Sequence, residues 1–126
     1  MNDLTELAHD VKTSLGINFN DKGVKYLEGF IERTKSQIAK DEWSGLVTSC
    51  GAFLGQCIIE QYGGEWSTEE NGQISISFDE NNKVFPFSKV SKQFDNGLED
   101  SIYSFYTVIP KIFKLKPKKK KSWWKF

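Results

Sequence analysis

The chain holds little of what most catalytic sites are built from: one histidine, two cysteines, one methionine and three prolines in 126 residues. A closed zinc site wants four ligands at short spacing, and His9 with Cys50 and Cys57 cannot supply them. The two cysteines stand seven apart in a segment that reads as helix. That sets them about 10 Å apart along its axis, too far for a disulfide, so they read as buried thiols. His9 falls off the apolar face of its helix and reads as a solvated side chain. There is no Gly-rich phosphate loop with its Lys-Ser/Thr, no Gly-x-Ser-x-Gly, no His-Glu-x-x-His and no calcium-binding ladder of aspartates. Neither a metal nor a cofactor is expected. Histidine-assisted attack by a serine or cysteine would have to use His9, which nothing in the local sequence brings to Ser101, Cys50 or Cys57. What remains for catalysis is a carboxylate pair drawn from Glu60, Glu65, Asp79, Glu99 and Asp100, and such pairs are common on solvated surfaces. A small carboxylate enzyme is therefore a secondary alternative to a non-enzymatic protein.

Long apolar runs are also missing. The stretch Trp43 to Ile59 carries no charge, but Ser44, Thr48, Ser49 and Gln56 make it a poor membrane span, so a central buried helix is expected instead. Gly51 and Gly55 then allow a neighbour to approach it closely. The start, Met-Asn-Asp-Leu-Thr-Glu-Leu, has neither the basic flank nor the apolar core of a secretory leader, and a cytoplasmic location is expected.

Against these absences, Leu, Ile, Val and Phe together make 34 of the 126 residues, enough for one core without disulfide or metal. The formal net charge of zero is a cancellation. Residues 1–110 hold nine basic and 17 acidic groups, whereas residues 111–126 hold eight lysines and no acid. The expected organisation is a single acidic domain over 1–110 followed by a basic aromatic tail over 111–126.

The hydrophobic period is helical at first. Asp3 caps a helix with Leu4, Leu7, Ala8, Val11 and Leu15 on one face and Gly16 as its stop. A second helix starts after Asn20 or Asp21 and ends near Lys40, with Val24, Leu27, Phe30, Ile31 and Ile38 inward and Lys25, Glu28, Glu32, Arg33 and Lys35 outward. The third runs from about Asp41 to Tyr62. The period then alternates: Glu65 to Glu70, an Asn71-Gly72 hairpin turn, Gln73 to Phe78 with Ser75 and Ser77 on the outer face, a turn at Asp79 to Asn82, and Lys83 to Phe85. A fourth helix begins at Pro86 and stops at Asn96-Gly97. The fifth starts near Leu98 or Glu99, has Leu98, Ile102, Ile109 and either Phe105 or Tyr106 inward, and ends at Pro110. The fold class is α+β, in the order α-α-α-β-β-β-α-α, with the helices packed on a three-stranded antiparallel sheet.

Three strings between Gly51 and Tyr106 carry a resemblance: Gly-Gly-Glu-Trp at 63–66, Pro-Phe-Ser-Lys-Val at 86–90 and Asn-Gly-Leu-Glu-Asp-Ser at 96–101. This block resembles a bacterial family of small domains of unknown function, and the resemblance implies a bacterial or phage origin but no active site. Domains of this general kind often stand beside toxin genes as immunity proteins. The lysine-rich tail has no counterpart in that pattern.

The leading expectation is a binding domain whose acidic surface engages a basic protein, such as a toxin. Its candidate contacts are Glu65, Glu69, Glu70, Asp79 and Glu80 on the sheet edges and turns, with Glu99, Asp100 and Tyr103 on the fifth helix. The tail offers a second class. Lys118, Lys119, Lys120 and Lys121 with Trp123 and Trp124 suit an anionic membrane surface, which would make the protein peripheral at the inner face. The same mixture suits single-stranded nucleic acid less strongly, and the tail folding back on the acidic body is a further alternative.

Overall fold

The computed structural model describes residues 2–114 as five helices and a three-stranded sheet, an α+β fold in the expected order. The elements are α1 (Asn2–Leu15), α2 (Asp21–Thr34), α3 (Trp43–Tyr62), β1 (Glu65–Thr68), β2 (Ile74–Ser77), β3 (Lys83–Val84), α4 (Pro86–Asn96) and α5 (Ile102–Ile112). Short 3-10 turns at Lys40–Glu42 and Gly97–Asp100 precede α3 and α5.

α3 is the centre because Cys50 to Ile58 is buried without interruption, and α1 and α4 make the largest contacts with it. Its small residues decide what lies against it. A Cβ on Gly51 would stand 2.3 Å from the Phe87 ring and one on Gly55 2.1 Å from the Trp66 indole. These two rings pack on one another at 5.9 Å, so the strand–α3–α4 junction is closed by aromatics lying on glycine. Cys50 and Cys57 are free thiols inside this core, and burial pushes Cys50 up to about 12 and Cys57 upward as well. Among the described residues, no helix is long and apolar enough to cross a membrane.

The sheet has the order β1-β2-β3, both pairs antiparallel. Trp66, Ile76 and Val84 lie opposite one another across the three strands and face the core, while Glu65, Ser77 and Lys83 make the adjacent row on the outer face.

Several local expectations fail for identifiable reasons. α2 ends at Thr34, not near Lys40: the next residues turn, and the Trp43 indole donates to the Lys35 carbonyl at 3.2 Å, clipping the connection to α3. α5 starts at Ile102, because the Ser101 hydroxyl accepts from Ser104 N at 3.1 Å and caps the helix there. Leu98, expected inward, lies in the preceding turn and is 59% exposed. Pro110 sits within α5, which runs on to Ile112. Glu28, expected outward, is 7% exposed, and Ser75, expected on the outer face, is buried.

Candidate binding surface

β1 stops at Thr68, so Glu69 and Glu70 belong to the hairpin loop and not to the strand. The loop closes through Glu69 N to the Gln73 carbonyl at 2.8 Å, and the Asn71 side chain accepts from Gln73 N at 2.9 Å. Gly72 takes φ 87, which the turn needs and a side chain would strain. From this loop the Glu69 carboxylate reaches back over the outer face. It accepts from Lys83 Nζ at 2.9 and 3.2 Å and from the Ser75 hydroxyl at 2.8 Å. This bridge is what covers Ser75. The Lys83 ammonium, and then the Ser75 hydroxyl, hold the Glu69 carboxyl below the usual carboxylate range.

The second turn is fixed in the same way. Asp79 Oδ1 accepts from the backbone of Asn81 at 2.8 Å and of Asn82 at 2.9 Å, and the Asn82 amide donates to both carboxylate oxygens. These donors, the Asn82 side chain first, hold Asp79 below its ordinary value. Glu69 and Asp79 therefore serve the hairpins themselves.

Between these turns lie two shallow depressions. One, of about 580 Å³, is lined by Gly64, Glu65, Ser77, Asp79, Glu80 and Lys83; the other, of about 450 Å³, by Thr68, Glu69, Glu70, Asn71 and Lys83. The structure thus brings the five sheet acids to one face around Lys83. Glu65, Glu70 and Glu80 are exposed and have no hydrogen-bond or ion-pair partner among the described residues.

The remaining three candidates belong to other elements. Glu99 and Asp100 lie in the 3-10 turn before α5, where Asp100 accepts from Asn96 at 2.7 Å, and Tyr103 on α5 lies under Lys25 of α2 at 4.9 Å. Tyr103 is therefore engaged with α2. The tail candidates Lys118, Lys119, Lys120, Lys121, Trp123 and Trp124 lie outside the described residues.

Sequence reasoning missed a polar seam between α2, α4 and α5. Gln93, fully buried, donates to the Glu28 carbonyl at 3.1 Å and the Glu32 carboxylate at 2.9 Å, and accepts from Ile102 N at 3.0 Å. The Ser101 hydroxyl donates to the Glu28 carboxylate, and the Tyr106 hydroxyl donates to Asp21 at 2.9 Å. The available signal was spacing: Glu28 and Gln93 each stand on the apolar stripe of their helix, beside Leu27 and Phe94. Every member of the seam has a partner, and it lines none of the grooves described for this molecule. Among the described residues no group of three or more His, Cys, Asp or Glu side chains comes together as a metal site.

No family model, curated protein or solved structure matches this chain.

Proposed function

We propose that the protein is a non-enzymatic binding domain whose outer sheet face engages a basic protein partner. The observation that carries this reading is the set Glu65, Glu70 and Glu80: three exposed carboxylates without described partners, on hairpins whose backbone is already held by Glu69 and Asp79. Holding charges on pre-formed turns lowers the ordering cost of binding. The net charge of the body, nine basic against 17 acidic groups in residues 1–110, attracts a cationic partner from a distance and makes the encounter salt-sensitive. An inhibitor of a toxin, covering a basic substrate-binding surface, is the most specific form of the proposal.

The experiment compares the full chain with E65Q/E70Q/E80Q as baits in a lysate of the native host at physiological salt. A discrete basic protein retained by the native chain and lost by the variant is the expected result. Retention of the same proteins by both baits overturns the reading. Salt supplies a second check, because retention that does not weaken as ionic strength rises is incompatible with an encounter between opposite charges.

A further inference from the structure

Three apolar grooves open on the surface. One of about 230 Å³ lies between α1, α2 and α3, and one of about 290 Å³ between α1, α3, α4 and the first hairpin; neither has a lysine or arginine in its lining. The third, of about 340 Å³, runs between β3, α4 and α5 and differs in its charge. Its floor is Phe85, Phe105, Ile109 and Phe113, its rim carries Lys83, Lys89 and Lys92, and no carboxylate lines it.

We propose that this groove, with the exposed side of α5 beside it, is a docking surface for an anionic lipid bilayer. The exposed apolar side chains at its border are Val108 and Ile112, 37% and 65% exposed and one helical turn apart on α5. They are aliphatic. Aliphatic side chains insert among acyl chains but offer no ring on which a base can stack, so the protruding residues, as distinct from the phenylalanines of the floor, suit lipid.

The charges around them point the same way. Lys89, Lys92, Lys111 and Lys114 have no ion-pair partner among the described residues, and Lys89 lies over the Phe105 ring at 5.3 Å. All are lysines, and the chain's one arginine, Arg33, stands on α2. Lysine is a point charge suited to a diffuse field of headgroups, whereas a specific acidic peptide is better read by the two-pronged fork of arginine. The sequence continues the pattern: beyond Lys114 come Leu115, Lys116, Lys118 to Lys121, Trp123 and Trp124. Near an anionic bilayer each such lysine strengthens binding by about fivefold.

The test uses the full chain in cosedimentation with phosphatidylcholine vesicles, with and without phosphatidylserine. Lys89→Glu/Lys92→Glu and, separately, Ile112→Asp alter surface side chains, and unchanged circular dichroism establishes that each variant is folded. The proposal expects binding to the phosphatidylserine vesicles that falls roughly tenfold or more in the lysine pair variant and also falls in Ile112→Asp. It further expects the lysine pair variant to weaken binding when Lys118 to Lys121 are all glutamine, since the groove contributes to binding in its own right. Folded groove variants that bind as tightly as the native chain overturn it. Equal binding to neutral and anionic vesicles also overturns it, as does a loss confined to a single-stranded oligonucleotide with vesicle binding intact.

Discussion

Gly55 is a glycine because the indole of Trp66 occupies the space a side chain would need, 2.1 Å from where its Cβ would be. The obstacle is a ring packed on Phe87 and held by a strand, so it has little room to withdraw. Gly55→Ala is expected to destabilise the fold by about 1–3 kcal/mol, offset only in small part by alanine's better helix propensity. Urea unfolding monitored by Trp fluorescence measures it, and a stability equal to the native protein's would mean that Trp66 does not rest on α3. Gly45, at the exposed start of the same helix, has nothing within 4 Å of its Cβ position and is the matched control.

At the scale of elements, Gln93 joins three helices through two donated bonds and one accepted bond. Gln93→Leu keeps the volume but leaves the Ile102 N–H buried without a partner and takes an amide donor from the Glu32 carboxylate. The expected loss is about 2–3 kcal/mol. Hydrogen exchange locates it: Ile102 and the first turn of α5 should lose protection, and unchanged exchange there would contradict the seam. Local sequence was a good guide wherever an element's neighbours are close in the chain. The order of helices and strands, the glycines of α3 and the turns at Asn71-Gly72 and Asp79–Asn82 were all legible from period and turn chemistry. Glu28, Ser75 and Leu98 were not. A glutamate on a helix is expected to be solvated, and the serine that accommodates Glu28 stands 73 positions away. Ser75 is buried by a lysine–glutamate bridge closed across the sheet between residues 14 apart. The start of α5 depended on which of several polar residues caps it, and Ser101 prevailed over the acids before it. Of the candidate surface, the five sheet acids were legible as a group, but nothing local revealed that Glu69 and Asp79 are spent on holding the hairpins.

For the whole molecule, the division of charge makes acid the revealing perturbation. Glu69 and Asp79 both ionise more readily in the folded chain than in the unfolded one. Their stabilisation is therefore fully present above the unfolded carboxylate values, about 4, and is lost as pH falls through the lower folded ones. The two hairpins should loosen in that window before the helical core does. Side-chain carboxyl titration by NMR is expected to place both residues below their ordinary carboxylate values, with Lys83→Ala moving Glu69 back toward its ordinary value and leaving Asp79 where it was. Midpoints that ignore Lys83 would remove the bridge from the account. Lys83 has one more property: it lines both acidic depressions and also the apolar groove between α4 and α5. The boundary between the sheet carboxylates and the unpaired lysines of the groove thus runs through a single side chain, and surfaces of opposite charge adjoin there. Near any charged plane such a molecule has a preferred rotation, lysines toward the negative side and sheet carboxylates away from it. Adsorption through the α4–α5 groove would therefore be most favourable where the adjoining sheet carboxylates tilt clear of the surface, and Lys83 is the side chain at which the two demands meet.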